Sequence, residues 1–310
     1  INLYFRRNDV KIKQKKQLNN CISILKNTHL LVNIINIKFY ILFLFLFLFS
    51  CEKDPDTQEV PSYINVSNAN LLTSSGQGSN THKITDVWVY VNDQFTGAFE
   101  IPATIPLLHK DSNNIRLFAG IKDNGISSTR VRYHFYKSSE YNIYLVEDSV
   151  VYIEPTFVYT ENSTIEHENF EGVGTNIDTT LNSEVDFEIK TENGNKFAYA
   201  KIDGNYLKFE ASTNNFINLP QQGSPVYLEL DYQSNHTALI GAYINNSNSV
   251  INKDLVWISP REDWNKIYIN MTKTVSEALG NNSIKFYLNV FRNDTTADAW
   301  IKFDNLKIIY

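Results

Sequence analysis

The chain has 310 residues, enough for two domains, with 28 basic and 34 acidic side chains and a formal net charge of −6. That charge is uneven: residues 1–50 hold eight lysines and arginines against one acid (Asp9), which leaves 20 basic and 33 acidic side chains in residues 51–310. So acidic a body repels phosphate backbones and argues against a nucleic-acid partner.

The first segment is basic (Arg6, Arg7, Lys11, Lys13, Lys15, Lys16, Lys26, Lys38) and runs into the apolar stretch Phe39 to Phe49, then Ser50 and Cys51. A basic flank, an apolar core and a small residue at a cut form the layout of a secretory signal peptide. A membrane-spanning helix is the rival, but the 11-residue run reaches only about 17 Å at ~1.5 Å per residue, and a bilayer core is about 30 Å thick. Extending it upstream brings in Asn33, Asn36 and Lys38. The single methionine is Met271 and signal peptides run about 15–30 residues, so 1–50 is expected to be a signal with an over-extended N-terminus.

Leu48-Phe49-Ser50-Cys51 resembles the lipobox of bacterial lipoproteins, with Phe49 bulkier than that motif usually carries. Glu52-Lys53-Asp54-Pro55-Asp56 resembles the short Lys-plus-acid tag of surface-exposed Bacteroidetes lipoproteins. The resemblance implies lipidation of Cys51 and a lipid anchor in the outer membrane facing the cell surface, several acyl chains being enough for stable attachment. A stray cysteine behind an apolar run is the alternative. Cys21 would leave with the signal and Cys51 would be used by the anchor, so neither a disulfide nor a cysteine metal site is expected. The body must then hold itself together by burial, which its length permits.

Residues 51–62 are polar with two prolines and read as a lipidated tether. From there the apolar pattern is of period two. Strands are expected at Asp86 to Val91, Ile115 to Ala119, Arg130 to Tyr136, Tyr141 to Val146 and Val150 to Tyr159. Turn residues separate them: Asp111-Ser112-Asn113-Asn114, Asp123-Asn124-Gly125, Lys137-Ser138-Ser139 and Asp148-Ser149. Short strands at this spacing indicate a small β-sandwich over 63–159. The stretch Val89 to Gly120, with its polar turn, Gly97 and Pro102-Ala103-Thr104, resembles β-domains of the PEGA type. That likeness supports a sandwich and implies no activity.

The polar stretch Thr160 to Glu168 marks the domain boundary, with 160–167 expected as a linker. Longer strands follow at Phe197 to Ile202, Tyr206 to Phe209, Val226 to Gln233, Leu239 to Asn245, Leu255 to Ile258, Trp264 to Asn270, Ile284 to Phe291 and Trp300 to Ile309, with one helical turn at Val275 to Leu279. Eight strands fit a jelly roll over 168–310, making the whole an all-β protein. Phe170-Glu171-Gly172, Trp264 to Ile269 and Trp300 to Ile308 occur in an order that resembles the galactose-binding-like and carbohydrate-binding-module jelly rolls.

Period-two alternation assigns both faces of each strand. Val226, Leu228, Leu230, Tyr232, Ile284, Phe286, Leu288 and Val290 are expected inside, together with Ile267, Ile269, Ile301 and Phe303. The outward set mixes rings with acids and amides, as sugar recognition requires, since rings stack on pyranose faces while carboxylates and amides bond hydroxyls. The expected glycan surface is Tyr227, Glu229, Asp231, Tyr243, Tyr287, Asn289 and Trp300. The competing reading is that these are ordinary β-formers covered by loops or by the other domain. The jelly-roll resemblance also implies a structural calcium site, for which Glu168, Glu171 and Asp304 are the candidates; solvated acids are the alternative.

An enzyme is not expected. Glu229 and Asp231 lie about 7 Å apart on one strand face (two residues at ~3.4 Å), a spacing that glycosidases use, but both point the same way. His82, His109, His134, His167 and His236 form no HExxH spacing, and there is no G-x-S-x-G elbow. Gly172-Val173-Gly174 lacks the strand and helix of a phosphate loop. Two functions remain: a lipid-anchored glycan-binding protein, or an accessory lipoprotein that contacts an envelope protein through its exposed β edges.

Overall fold

Strands fill most of the chain in the computed structural model, which describes residues 60–310 apart from 217–218, 247 and 279–282. The segment expected as a signal, Cys51 and most of the expected tether lie outside the described residues. The first ten strands are β1 (Ser62–Val66), β2 (Asn70–Leu72), β3 (Asp86–Val91), β4 (Gln94–Glu100), β5 (Ala103–Leu107), β6 (Asp111–Lys122), β7 (Arg130–Arg132), β8 (Ser139–Leu145), β9 (Val150–Tyr152) and β10 (Thr156–Val158). They form one sheet of order β4-β3-β6, with β7 and β8 both along the far edge of β6, a three-stranded sheet β5-β1-β9 and the pair β10-β2. Ile64, Val66, Val87, Val89, Ile115, Leu117 and Phe157 close a core between them.

The remaining strands are β11 (Ile165–Glu168), β12 (Ile177–Thr179), β13 (Phe187–Glu192), β14 (Asn195–Ile202), β15 (Lys208–Thr213), β16 (Tyr227–Ser234), β17 (Ala238–Asn245), β18 (Val250–Ile258), β19 (Arg261–Asn270), β20 (Ser283–Phe291) and β21 (Ala299–Ile309), with a short helix α1 (Thr272–Glu277). One sheet runs β13-β14-β21-β16-β19, with β11 also on β21; the other runs β12-β15-β20-β17-β18. The inward residues expected from alternation meet between these sheets, where Leu228, Leu230, Ile267, Ile269, Ile301 and Phe303 face Phe209, Ile240, Phe286, Leu288 and Val290. The fold is thus an all-β pair of sandwiches, the second a jelly roll. Among the described residues no helix is long and apolar enough to cross a membrane.

Several boundaries differ from expectation for identifiable reasons. The run expected as one strand over 150–159 breaks into β9 and β10 around Glu154-Pro155, because it leaves one sheet and joins another. The polar Asp111 to Asn114 is strand, since β8 supplies a ladder from Asp111↔Leu145 to Leu117↔Ser139. Residues 165–167, expected within the linker, join Glu168 in a strand that pairs with Leu306 to Ile309 of the jelly roll. The two sandwiches therefore follow each other with only the 160–163 turn between, where Ser163 N–H donates to Thr160 C=O at 3.2 Å.

Candidate functional site

Part of the outward face of the six-stranded sheet, across β16, β19 and the end of β21, is sealed. Tyr227, Glu229, Asp231, Lys266, Tyr268 and Lys307 point away from the jelly-roll core and meet Tyr133, Tyr136 and Tyr159 of the first sandwich, all of them buried. The expectation that Tyr227, Glu229 and Asp231 lie on an exposed surface is therefore corrected. Glu229 is 0% exposed. Its carboxylate accepts from Tyr133 Oη at 2.8 Å and Tyr159 Oη at 3.0 Å, with Lys266 Nζ at 3.3 Å. Asp231 accepts from Thr81 Oγ1 at 2.6 Å and Asn305 Nδ2 at 2.9 Å, with Lys266 again at 3.5 Å. Lys307, its ammonium pulled down to about 8 by burial, donates to Ser79 C=O at 2.6 Å and Tyr159 Oη at 3.1 Å. Burial and the Glu229 charge hold the Tyr133 and Tyr159 hydroxyls far above the usual tyrosine range, so both remain donors.

Tyr243, Tyr287 and Asn289 belong to the other sheet, on its outer face, so the expected glycan set does not form one surface. Strands of a jelly roll alternate between sheets, and sequence neighbours such as β16 and β17 face opposite sides. The missed member here is Glu210, 1% exposed, which accepts from Tyr243 Oη at 2.7 Å, Thr180 Oγ1 at 2.7 Å, Asn182 Nδ2 at 3.0 Å and Asn289 Nδ2 at 2.9 Å, beside Lys208 Nζ at 3.0 Å. Tyr287 lies flat across Gly241, where a Cβ would overlap the ring, and its hydroxyl reaches Asn252 and Asp254 at 2.8 Å. Its ring is 3% exposed and offers no stacking surface. Trp300 is on the six-stranded sheet, its N–H donating to Asn235 Oδ1 at 2.7 Å.

Each candidate calcium ligand has hydrogen-bond donors of its own. Glu168 closes a turn by accepting from the N–H groups of Phe170 at 2.7 Å and Asn176 at 2.6 Å, while the exposed Glu171 accepts from Lys196 N–H at 2.7 Å. Asp304 accepts from Asn195 Nδ2 at 2.9 Å and Asn305 N–H at 2.7 Å. Among the described residues no three acids, histidines or cysteines are grouped to hold a metal.

What the docking leaves open is a cleft of about 150 Å³ at the margin of the sealed face. One wall is the hairpin between β6 and β7. Asn124 and Gly125 take φ of 55° and 70° there, a turn that the Asp-Asn-Gly sequence favours. The hairpin is fixed to β19, because Asn124 N–H donates to Tyr268 C=O at 2.9 Å and Asn270 N–H donates to Asn124 Oδ1 at 2.9 Å. The other wall is the connection between β18 and β19, with Trp257 at 60% exposure, Ser259, Arg261 and Asn265. Lys83 and Lys122 come from the first sandwich; Lys83 N–H donates to Tyr268 Oη at 3.0 Å and its ammonium to Asn265 Oδ1. Lys266 lies at the floor, already held by Glu229 and Asp231. None of these cleft residues was singled out from sequence as a ligand contact; the cleft is made by juxtaposing two domains, and only its turn at 123–125 was legible.

No protein-family model matches the sequence and no curated protein does. Solved structures similar to this chain include a family 11 carbohydrate-binding module from Clostridium thermocellum in complex with a β-1,3-1,4-mixed-linked tetrasaccharide, at 14% identity over 47% of this chain and 94% of the module with a TM-score of 0.35. A substituted family 29 carbohydrate-binding module is 12% identical over 48% of this chain and 86% of its own, with a TM-score of 0.31. The family 30 module of a cellulosomal cellulase of Clostridium thermocellum is 14% identical over 44% of this chain and 88% of its own, also with a TM-score of 0.31. Each likeness covers less than half of this chain, and no ligand or site is carried over from it.

Proposed function

We propose that the protein is a saccharide-binding lipoprotein of the cell envelope, attached through Cys51, that holds its ligand in the cleft between the two sandwiches without turning it over. The observation that carries this reading is the exposed Trp257 indole set beside amide, hydroxyl and cationic donors in a single concave surface. An indole face covers the apolar side of a pyranose, and Ser259, Asn265 and the cations supply donors for its hydroxyls. The acids weighed as a glycosidase pair, Glu229 and Asp231, are held inside by Lys266, tyrosines, Thr81 and Asn305, which favours binding over turnover. The apolar run before Cys51 and the polar tether after it support the anchor and the surface location.

Affinity electrophoresis of the full chain in gels containing neutral and acidic polysaccharides tests the binding. Retention by at least one is expected, with Trp257→Ala weakening it roughly tenfold, the worth of a buried stacking contact. Retention by none, or retention indifferent to Trp257→Ala, overturns the reading. Reducing-end assays on the retained polysaccharide should show no product. For the anchor, detergent partitioning should move the protein to the aqueous phase on Cys51→Ser.

A further inference from the structure

We infer that the ligand of this cleft is an anionic saccharide, its carboxylate or sulfate held by Lys83 and Lys122 of the first sandwich and Arg261 of the second. This rests on the reading that the cleft binds a saccharide and names the class. The charge distribution is the first argument. Acids outnumber bases in residues 51–310 by 33 to 20, yet the cleft lining contains four basic side chains and no aspartate or glutamate.

The second argument is the pairing. Lys266 is neutralised from below by Glu229 at 3.3 Å and Asp231 at 3.5 Å. The other three cations have no comparable partner. Lys122 reaches only Glu100, at 4.0 Å, and that carboxylate is already bound by Arg130 at 2.8 Å. Lys83 donates to the neutral Asn265 amide. Among the described residues Arg261 forms no ion pair, and the group beside it is the neutral Tyr232 hydroxyl. Burial, together with the charges of Arg261 and Lys122, lowers the affinity of Lys83 for its proton. Gathering like charges without a counter-ion is unfavourable, and a bound anion relieves that repulsion.

Preorganisation is the third. Lys122 ends β6 next to the Asp123↔Tyr268 bridge, Lys83 is fixed by its main-chain bond to Tyr268, and Arg261 begins β19 opposite Ser234. Lys83 and Lys122 are therefore positioned by contacts that dock the domains, and Arg261 by the jelly roll's own ladder. A bare anion would need nothing more, but Trp257 at the same wall adds a flat apolar surface suited to a sugar ring.

The test is titration of the full chain with polygalacturonate, its methyl ester, a sulfated galactan free of uronic acid, a neutral galactan and inorganic phosphate. Binding to polygalacturonate or to the sulfated galactan is expected, and which of the two binds distinguishes carboxylate from sulfate. Methyl esterification should abolish the former. Arg261→Gln and Lys83→Gln should each lower affinity about tenfold, the worth of one charge-assisted contact, with thermal unfolding monitored to confirm folding. Equal binding of the neutral galactan, unchanged in Arg261→Gln, overturns the anionic assignment and leaves the saccharide reading standing. Competition by phosphate with no effect of Trp257→Ala makes the cleft a plain anion site and overturns both. Binding of none of the probes overturns both as well.

Discussion

Each sheet of the jelly roll turns a carboxylate away from the shared core, and both carboxylates end up buried, but by different means. Glu210, 1% exposed, is covered by its own domain: Tyr243, Thr180, Asn182, Asn289 and Lys208 converge on it from the same sheet and its flanking turn. Glu229, 0% exposed, takes two of its donors from Tyr133 and Tyr159 of the other sandwich. An ionised carboxylate loses several kcal/mol of hydration on burial and is tolerated only where hydrogen bonds and a cation replace it. For Glu210 that replacement is complete within one domain. For Glu229 the cation, Lys266, belongs to the same domain, but the replacement is complete only once the two domains have docked, so burial of the charge and assembly of the cleft are one event.

The sharpest way to break this comparison is to remove each carboxylate. Glu229→Ala leaves Lys266 with Asp231 alone, removes the acceptor of two tyrosine hydroxyls in a sealed seam and should cost roughly 3–5 kcal/mol. Glu210→Ala leaves Lys208, whose side chain is 23% exposed, able to reach water and should cost about 1–3 kcal/mol. Urea unfolding gives both values, and limited proteolysis should cut near the 160–163 turn in Glu229→Ala only. Equal losses, or a Glu229→Ala protein that remains resistant at that turn, would show that the seam charge does not hold the domains together.

The same contrast explains what the sequence made legible. Alternation identified the inward residues of β16, β19, β20 and β21 correctly, because a period of two depends only on the strand itself. It identifies Glu229 and Tyr287 as outward, which they are, but an outward side chain is not thereby an exposed one. Burial of an outward face depends on which strands and domains are neighbours, and that information is spread over separations of 96 residues for Tyr133–Glu229 and 35 for Tyr287–Asn252. Glu210 lies just past the expected end of its strand at Phe209, whereas β15 runs on to Thr213. The turn at Asp123-Asn124-Gly125 was legible as a turn but not as the peg that docks on β19, for which Gly125 must approach the Ile267 side chain closely.

A second test separates a paired charge from an unpaired one on the sealed face. Asp304 is 1% exposed, bonded to neutral amides, and among the described residues has no ion pair, so burial, with the nearby Asp231 charge, pushes its carboxyl up to about 6. The folded state therefore holds this proton more tightly than the unfolded chain, whose aspartates titrate near about 4. Between those values the folded state carries the extra proton, and stability falls as pH rises through the window. Asp304→Asn removes that contribution: relative to the parent, the variant should be more stable at pH 7 than at pH 4.5. A parent-to-variant difference in urea midpoint that does not change across the window would mean that Asp304 is solvated rather than sealed.

The finest contrast, a single hydroxyl on each side, comes from the two tyrosines that donate to these carboxylates. Tyr133 Oη lies 2.8 Å from Glu229, and Tyr243 Oη lies 2.7 Å from Glu210, so length alone predicts equal contributions. The surroundings predict otherwise. Tyr133 is 1% exposed inside the seam, and its removal as a donor leaves Glu229 with Tyr159 and Lys266 and no route for water. Tyr133→Phe should cost roughly 1.5–3 kcal/mol, the range for a bond to a charged group without replacement. Glu210 keeps three neutral donors and Lys208 after Tyr243→Phe, and the half-buried position of Tyr243 admits solvent to the gap; about 0.5–1.5 kcal/mol is expected. A double-mutant cycle of Tyr133→Phe with Glu229→Gln should show coupling, because the two groups share one bond across the seam. Additive losses there would place the stability of the seam in its aromatic packing, where Tyr133 lies 5.2 Å from Tyr227 and 5.0 Å from Tyr268 edge to face, rather than in its charges.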